Sequence, residues 1–353
     1  MKTAVVVPCY RVRQFIVDVV QRIGPEVDRI YLVDDACPEQ SGDWAASQLD
    51  DQRIEVIYHS QNLGVGGAVL SGYRQALAEG ADLIVKLDGD GQMDPALIAT
   101  LIQPILRGDA DYTKGNRFWS RATIGNMPGV RIFGNAALGF ITKMSSGYWR
   151  LFDPTNGFTA IHRQALMMLD QSRISPRYFF ESDMLIQLGD IRAVVVDVPM
   201  HANYGEETSG LSIRRTALEF LGKHLKATIR RIIHFYFLRD FSIASLHLLF
   251  GTFGLMFGLL FGGYHWCLSM STGLTASTGT VMLAALPTIL GFQLFLQFLS
   301  YDIANLPTIP LQRLLITAPE AGSIASKGSS PENQPPDTAS APTQSKHGRD
   351  NCA

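Results

Sequence analysis

Two long stretches without a charged side chain most strongly constrain how this 353-residue chain can fold. Neither residues 243–267 nor residues 279–301 include an Asp, Glu, Lys or Arg. An α-helix rises 1.5 Å per residue, so about 20 apolar residues cross a hydrocarbon core of roughly 30 Å. Two buried helices of a soluble protein are the alternative, but two such runs in succession favour a transmembrane hairpin. The sequence therefore predicts an integral membrane protein with two spans.

Positive charge lies on the outer flanks of these runs, whereas the loop between them, residues 268–278, carries no charge. The flanking cations are Lys223, Lys226, Arg230, Arg231, Arg239 and Arg313. Positively charged flanks of membrane spans remain in the cytoplasm. We therefore predict that the N-terminal region and the C-terminal tail are both cytosolic.

Composition divides the chain into an N-terminal domain at 1–212, a basic amphipathic segment at 213–241, the two apolar runs within 242–310 and a tail at 318–353. The tail is rich in Ser, Pro, Gln and Gly, which predicts disorder. In the amphipathic segment, leucines and isoleucines recur at helical spacing with cations between them. This pattern predicts an interfacial helix in the lipid headgroup layer. A helix packed on the domain, with a solvated basic face, is the alternative.

The N-terminal domain alternates short β-branched runs with amphipathic stretches of helical length. Strands are predicted at 3–7, 29–33, 54–58, 83–87 and 194–198, and helices at 15–23, 43–49, 67–78 and 95–106. This alternation predicts an α/β fold, in which a mainly parallel sheet carries helices on both faces. In such sheets, ligands bind beyond the carboxyl ends of the strands.

Charge and cysteine usage exclude several classes of protein. The formal net charge is −2, which gives no support for a globally basic nucleic-acid-binding protein, so no nucleic-acid partner is expected. The four cysteines are far apart in the sequence and form no CxxC pair. Neither a disulfide framework nor a structural zinc site is therefore expected.

Acidic residues follow two of the predicted strands. Asp88-Gly89-Asp90-Gly91-Gln92 comes directly after the strand at 83–87, and Asp34-Asp35 follows the strand at 29–33. Carboxylate oxygens of this kind suit Mg²⁺ or Mn²⁺, especially where phosphate oxygens complete the coordination shell. Because both pairs lie at strand ends, we predict a ligand site there.

A glycine-rich turn, which includes Asn62 and Gly64, precedes the predicted helix at 67–78. Glycines allow the backbone to approach a ligand closely at a helix start. A tight turn with close helix packing is the alternative. The turn matches neither GxGxxG nor the P-loop pattern, which argues against NAD binding and ATP hydrolysis.

In combination, these motifs resemble the family 2 inverting glycosyltransferases with the GT-A fold. The resemblance rests on the order and spacing of Val5-Val6-Val7-Pro8, Asp34-Asp35, Asn62-Leu63-Gly64 and Asp88-Gly89-Asp90-Gly91-Gln92. It is closest to the branch of dolichyl-phosphate mannosyltransferase and bacterial polyprenyl-phosphate glycosyltransferases, whose members often add two C-terminal spans. It implies a membrane-bound, metal-dependent enzyme, in a bacterial inner membrane, that transfers a sugar with inversion from a nucleotide-sugar to a polyprenyl-phosphate at the cytosolic face.

The resemblance also implies site residues. Asp34 would contact the base or ribose of a UDP- or GDP-linked donor. The wider donor site would include Pro8, Asp35, Asn62, Gly64 and Gly89. Asp88, Asp90 and Gln92 would hold the metal ion and the diphosphate. Arg117 would reach the donor phosphates, and Arg131 would face the acceptor phosphate.

Glu181 and Asp183 resemble the family's acidic motif, with Ser182 between them. In relatives that glycosylate a hydroxyl, such an acid takes the proton, whereas a lipid phosphate is already ionised. We expect Glu181 or Asp183 to have an active-site role, and a hydroxyl of a lipid-linked glycan or glycolipid stays open as an alternative acceptor. The branch's Ser-Lys pair is missing here, and Arg214 and Arg215 are the candidates to replace it.

The expected partners are therefore a nucleotide-sugar, a polyprenyl-phosphate or another lipid-linked acceptor, and membrane lipids. The sequence leaves a homo-oligomer open. The alternative to an enzyme is a sensor protein that binds a nucleotide-sugar without catalysing a reaction. The intact Asp88-Gly89-Asp90 argues against this alternative.

Overall fold

The computed structural model of the chain describes residues 1–119, 129–200 and 213–316, and at 129–133, 213–217 and 316 it describes the backbone alone. The predicted tail lies outside these residues. The strands are β1 (Thr3–Cys9), β2 (Arg29–Asp34), β3 (Ile54–Tyr58), β4 (Leu83–Lys86), β5 (Tyr112–Asn116), β6 (Thr159–His162) and β7 (Val195–Pro199). The helices are α1 (Ile16–Gln21), α2 (Ser41–Gln48), α3 (Val65–Ala78), α4 (Ile98–Leu106), α5 (Gly129–Ser146), α6 (Arg163–Met168), α7 (Phe180–Asp190), α8 (Ile213–Ile233), α9 (Ile243–Thr272), α10 (Thr278–Ala304) and α11 (Leu311–Ile316), with a π-helical segment at His234–Arg239.

The strands form one sheet in the order β3-β2-β1-β4-β6-β5-β7. β1 pairs in parallel with both β2 and β4, so Val5 lies between Ile30 and Val85. Among the described strands, β6 is the one that runs antiparallel to its neighbours, β4 and β5. The sheet is therefore mainly parallel, as predicted.

Both faces of the sheet are covered. Ala4 and Val6 of β1 belong to a core cluster that includes residues of α3 and α7. Val5 and Val7 belong to a second cluster, which includes residues of α1 and α4. Because successive side chains of a strand point to opposite faces, helices pack on both sides, which is typical of parallel sheets. The predicted α/β architecture is confirmed.

The sequence analysis missed β5 and β6. β5 contains Thr113 and Lys114, and β6 is only four residues long. Neither strand has the β-branched apolar run that identifies a buried strand. Lys114 is nevertheless buried, because its ammonium donates to the carbonyl oxygens of Phe152 and Asp153 and lies 3.0 Å from Asp197 Oδ1.

Helices α9 and α10 are long and apolar enough to cross a membrane. They pack closely through glycines: a Cβ at Gly251, Gly258 or Gly291 would clash with the backbone of the partner helix. Small residues allow this approach between membrane helices. Both helices extend beyond the predicted runs, so the connection shortens to residues 273–277. The hairpin supports association of the chain with a membrane.

After the hairpin, the chain returns to the N-terminal domain. The backbone N–H groups of Leu311 and Gln312 donate to the buried carboxylate of Asp111 at 2.9 and 3.1 Å. The Gln312 side-chain amide donates to the Ala110 carbonyl oxygen at 2.7 Å. Both ends of the hairpin are thus tied to one domain. The placement of both flanks on one side of the membrane, the cytosolic side, stays a prediction.

Helix α8 exposes an apolar stripe. Its members, which are between 47% and 72% exposed, are Leu218, Leu221, Leu225, Ile229 and Ile233. The cations of the helix have different environments: Lys226 is exposed, Arg230 lies 2.9 Å from Asp190, and Arg231 is buried. The interfacial placement of α8 stays a prediction, and part of its positive charge is used inside the protein.

Candidate active site

The predicted site residues Pro8, Asp34 and Asp88 lie where β1, β2 and β4 end. β1 lies between β2 and β4, and the three strands are parallel. Pro8, Asp34 and the segment that begins at Asp88 therefore share one edge of the sheet. β6 runs in the opposite direction, so Gly157, two residues before it, lies at the same edge beside Asp88. The antiparallel strand thus brings a segment to the site that the sequence analysis did not place there.

A buried lysine that the sequence analysis did not single out lies at the centre of this edge. Lys86 ends β4, and its Nζ lies 2.7 Å from Asp88 Oδ1 and 3.3 Å from Glu181 Oε1. The same ammonium donates to the Gly157 carbonyl oxygen at 3.2 Å. Lys86 therefore joins β4 and the segment before β6 to the first turn of α7. The available signal was a lysine in an otherwise apolar strand, since a buried cation requires a partner.

The charged groups of this cluster stabilise one another. Burial raises the pKa of the Glu181 carboxyl, and the Lys86 cation counters part of that rise. Burial by itself would lower the pKa of Lys86, but the Asp88 and Glu181 carboxylates hold it above its usual value. Lys86 is therefore a cation at neutral pH, placed between two acidic side chains.

Gly157 allows this cluster to close, because a Cβ at position 157 would clash with Asp88 Oδ2 and Lys86 Nζ. We expect Gly157→Ala to displace Asp88 and to reduce the predicted sugar transfer strongly, since a misplacement of about 1 Å in an active site costs on the order of 10²-fold in rate. The measurement is the initial rate of the purified variant. Gly222→Ala is the matched control, because a Cβ at that α8 position meets no atom within 4 Å. Equal rates for the two variants would contradict the role of Gly157.

Asp90 and Gln92 lie in the turn that follows Asp88. Gly91 has a φ of +75°, and the Gln92 backbone N–H donates to Asp90 Oδ1 at 3.0 Å. Within residues 1–119, 129–200 and 213–316, no group of three or more His, Cys, Asp or Glu side chains could hold a metal ion. The carboxylates of Asp88 and Asp90 are a set of two hard oxygen donors, and their coordination of one metal ion stays a prediction. Such a set fits Mg²⁺ or Mn²⁺ when substrate phosphates supply further ligands.

Asp34 shapes the loop between β2 and α2. It is buried, and its carboxylate accepts hydrogen bonds from the backbone N–H groups of Cys37 and Gly42 at 2.8 and 3.0 Å. Gly42 lies in the first turn of α2, where backbone N–H groups have no partner within the helix. The carboxylate therefore stabilises the start of this helix. A contact between Asp34 and the donor nucleotide stays a prediction.

Asp35 shapes the turn that contains Asn62 and Gly64. Its carboxylate accepts hydrogen bonds from the backbone N–H groups of Leu63 and Gly64, each at 2.8 Å. His59 Nδ1 lies 2.7 Å from Asp35 Oδ1, and the Asn62 amide donates to the Asp35 carbonyl oxygen at 3.3 Å. Asp35, Asn62 and Gly64 are therefore brought together, as the motif order predicts, and their role in donor binding stays a prediction.

The glycines at the start of α3 pack against the segment before α7. Gly64 has a φ of +88°, and the Gly67 N–H donates to the Pro176 carbonyl oxygen at 3.0 Å. A Cβ at Gly66 would clash with the Ser175 carbonyl oxygen. These contacts support the tight-turn alternative for the glycines at 66 and 67, whose small size accommodates a neighbouring segment.

Glu181 and Asp183 point to different surroundings. Glu181 belongs to the Lys86 cluster, whereas Asp183 Oδ2 accepts a hydrogen bond from the Ser175 backbone N–H at 2.8 Å. Burial raises the pKa of the Asp183 carboxyl. Asp183 therefore fixes the segment that packs on the α3 glycines, and Glu181 is the acid that lies in the same cluster as Asp88.

Comparison with known proteins shows the family of the chain. Residues 4–169 match the model of the family described as glycosyl transferase family 2. A UDP-N-acetylglucosamine–dolichyl-phosphate N-acetylglucosaminyltransferase of Methanococcus voltae is 30% identical over 215 residues, which are 57% of this chain and 85% of that protein. The chain belongs to glycosyl transferase family 2. It is therefore a glycosyltransferase enzyme, as the sequence motifs predicted.

Further relatives of this family 2 enzyme have related names. An undecaprenyl-phosphate mannosyltransferase of Micrococcus luteus is 30% identical over 178 residues, which are 50% of this chain and 72% of that protein. A dolichol-phosphate mannosyltransferase of Pyrococcus furiosus is 26% identical over 211 residues, 56% of either chain. Among solved structures, glucosyl-3-phosphoglycerate synthase from Mycobacterium tuberculosis aligns with a TM-score of 0.47 at 19% identity, over 66% of this chain and 77% of that one.

In this glycosyltransferase, Arg117 forms a bidentate ion pair with Asp153. Its Nε lies 2.7 Å from Asp153 Oδ2 and its terminal nitrogen 2.6 Å from Oδ1. Asn156 also donates to Asp153, at 3.3 Å. A role of Arg117 at donor phosphates stays a prediction, and it requires the guanidinium to bind phosphate beside or in place of this carboxylate.

An apolar cavity of about 370 Å³ lies beside this ion pair, between α5 and the segment before β6. It is lined by Phe118, Asn135, Ala136, Gly139, Phe140, Lys143, Leu151, Phe152 and Asp153. Lys143 Nζ lies 4.1 Å from the centre of the Phe152 ring, and burial lowers the pKa of this lysine. The sequence analysis did not single out this cavity, because its aromatic residues come from three separate segments.

Several predicted residues lie where the structure gives no side-chain description. Arg131 is in α5, and Arg214 and Arg215 are in α8, but only the backbone is described at these positions. The stretch at 201–212, which includes the expected position of the Ser-Lys pair, is outside the described residues altogether. The predicted acceptor-phosphate roles of these arginines stay predictions.

Proposed function

We propose that this protein transfers one sugar from a nucleotide-sugar to a polyprenyl-phosphate at the cytosolic face of a membrane, with a divalent metal ion and with inversion. One observation carries the proposal: in one chain, a family 2 glycosyltransferase domain is followed by a helical hairpin long enough to cross a bilayer. The names of three relatives, in which the acceptor is dolichyl- or undecaprenyl-phosphate, support the same acceptor class.

The donor nucleotide would bind at the ends of β1 and β2. Pro8, Asp34 and Asp35 lie at this edge, and Asp35 brings Asn62 and Gly64 to it. Preformed loops of this kind reduce the conformational entropy that is lost when a ligand binds. Both UDP- and GDP-linked sugars fit this part of the proposal, and the relatives' names include a UDP-linked donor.

The donor diphosphate would bind beside Asp88, with Asp90 and Gln92 as the further candidate ligands of Mg²⁺ or Mn²⁺. The metal ion would neutralise negative charge on the leaving nucleoside diphosphate. The Lys86 ammonium, 2.7 Å from Asp88, holds that carboxylate at the edge of the sheet. We therefore assign to Lys86 the role of orienting the Asp88 carboxylate.

The acceptor would use the cavity beside α5. Its apolar wall suits the first isoprene units of a polyprenyl chain, Lys143 supplies a cation to its lining, and Arg117 is paired with Asp153 of the same lining. An oxygen of the lipid phosphate would attack the anomeric carbon, forming the new C–O bond as the bond to the nucleoside diphosphate breaks. Because the attack comes from the opposite side, the anomeric configuration inverts. Holding both reactants in one geometry lowers the entropic part of the barrier.

A hydroxyl acceptor is the second candidate, favoured by the buried acids at the start of α7. A hydroxyl must lose its proton during attack, and Glu181, which has a raised pKa and lies in the Lys86 cluster, is the better placed base. Asp183 is already engaged with the segment at Ser175. If a hydroxyl is the acceptor, Glu181→Gln should abolish transfer and leave donor binding intact.

The proposed placement of the protein in the bilayer follows from the hairpin and from α8. The exposed apolar stripe of α8 would lie in the headgroup layer, with Lys226 near lipid phosphates. The hairpin would then span the bilayer, with the N-terminal domain and the tail in the cytosol. We propose that this membrane is a bacterial inner membrane. The proposal does not depend on whether the chain self-associates.

The first test offers purified protein a panel of UDP- and GDP-sugars with undecaprenyl- or dolichyl-phosphate and Mn²⁺ or Mg²⁺. We expect label from one donor to enter an organic-soluble glycolipid, and a chelator to remove this activity. Donor hydrolysis without a lipid product would favour the hydroxyl acceptor. Lipid labelling that persists in chelator would contradict the metal requirement.

A further inference from the structure

A buried carboxylate at the end of the second apolar helix ties the hairpin to the N-terminal domain. Asp302 lies in the last turn of α10 and is 4% exposed. The Arg231 guanidinium donates to both of its oxygens at 2.8 Å, the Tyr236 hydroxyl donates at 2.6 Å, and the Trp149 indole N–H donates at 2.8 Å. One side chain therefore joins α10 to α8, to the π-helical segment and to the loop after α5.

Two of these donors lead to the cavity wall. Arg231 also donates from Nε to the Met144 carbonyl oxygen of α5 at 3.0 Å. The Trp149 ring packs edge-on against Phe140, which lines the cavity, with ring centres 6.0 Å apart. The end of the hairpin is thus connected to α5 by a hydrogen bond on one side and by a ring contact on the other.

The third donor stays on the hairpin side. Tyr236 belongs to the π-helical segment that precedes α9, and its ring packs against Phe298 of α10 at 5.0 Å between centres. Trp149 and Tyr236 therefore each donate one hydrogen bond to the same carboxylate, but only Trp149 contacts the cavity wall. This difference separates a positioning role from a general contribution to stability.

We propose that Asp302, through Arg231 and Trp149, is a positioning residue that fixes the acceptor cavity relative to the membrane hairpin. A buried ion pair can often be replaced by apolar residues of similar volume without loss of stability, whereas its directional bonds specify one arrangement of the segments. A lipid acceptor held by the bilayer then meets the cavity at a fixed depth and angle. This inference rests on the proposed polyprenyl-phosphate acceptor.

The test compares Trp149→Phe with Tyr236→Phe, each of which removes one hydrogen bond to Asp302 and keeps an aromatic ring. Full-length variants in proteoliposomes receive undecaprenyl-phosphate, and in detergent they receive a water-soluble prenyl phosphate of two isoprene units. We expect Trp149→Phe to raise the KM for the long acceptor by about ten-fold, the effect of losing a hydrogen bond to a charged group. The KM for the donor and for the short acceptor should not change, and Tyr236→Phe should leave all three constants near wild type. Equal effects of the two variants would overturn the proposal.

Hydrogen–deuterium exchange gives a second readout that needs no substrate. Amides in residues 134–146 of α5 should exchange faster in Trp149→Phe than in Tyr236→Phe or the wild type. Equal exchange in the two variants would overturn the positioning role even if transfer is active. If the wild type transfers no sugar to undecaprenyl-phosphate, the proposed function fails, while the exchange comparison still decides whether Asp302 positions α5.

Discussion

Replacing Asp90 with alanine is expected to reduce sugar transfer by about 10²–10³-fold, the loss typical of removing one preorganised group that stabilises developing charge. Asp90 lies in the turn after β4, where we propose that the metal ion and the donor diphosphate bind. Its Oδ1 accepts a local hydrogen bond, from the Gln92 N–H two residues along the chain. The Asp90 side chain is only partly buried, so we expect its removal to affect folding much less than activity. Initial rates across a Mn²⁺ titration, together with the melting temperature, measure both effects.

Asp94→Ala is the matched control, because it removes an aspartate from the same loop. The Asp94 side chain accepts a hydrogen bond from the Ala96 N–H and caps the short helix that begins at Pro95. Loss of such a cap costs about 0.5–2 kcal/mol of stability, and sugar transfer should stay near the wild-type rate. Equal losses of activity in the two variants would contradict the assignment of Asp90 to the metal site.

Lys86→Met is expected to lower the free energy of unfolding by about 3–5 kcal/mol, because removing one partner of a buried ion pair leaves charge uncompensated. The carboxylates of Asp88 and Glu181 would then lie near each other without the cation between them. Transfer should also fall, since Asp88 loses the ammonium that orients it. Thermal unfolding in detergent and the transfer rate measure the two effects.

Two further variants test whether the destabilisation in Lys86→Met comes from the loss of its ion pairs. Lys226→Met is the control for replacing a lysine with methionine. It replaces an exposed lysine of α8, so it should leave the free energy of unfolding almost unchanged. Adding Glu181→Gln to Lys86→Met removes one uncompensated carboxylate, so the double variant should be more stable than Lys86→Met alone. If the loss of stability in the double variant equals the sum of the losses in Lys86→Met and Glu181→Gln, the Lys86 cation and the Glu181 carboxylate are not coupled. The charged groups of the cluster then do not stabilise one another.

The sequence predicted the parts of the fold that depend on local pattern. The runs that became β1 to β4, together with β7, are short, apolar and rich in β-branched residues, and the amphipathic stretches between them became helices. The acidic pairs at 34–35 and 88–90 lie at the ends of β2 and β4, the two strands that pair with β1 on either side. Because parallel strands place their carboxyl ends together, strand order converts these separate motifs into one site.

The sequence could not predict features that depend on contacts between distant segments. Lys86 and Glu181 are far apart in the chain, and a lysine within a strand gives no indication of its partner. The same holds for Asp302 with Trp149, and for the return of Leu311 to Asp111. The short strand β6 also lacks an apolar alternation, so its antiparallel position, which brings Gly157 to Asp88, emerges only from the folded sheet.

The acceptor comparison tests the proposed chemistry most directly. Purified enzyme receives its nucleotide-sugar with either undecaprenyl-phosphate or undecaprenol, which differ only in the phosphate, and mass spectrometry follows the lipid. We predict one product, formed from undecaprenyl-phosphate, with the mass of the lipid phosphate plus a single sugar residue. A glycosylated undecaprenol, or donor turnover that leaves undecaprenyl-phosphate unmodified, would contradict transfer to a lipid phosphate.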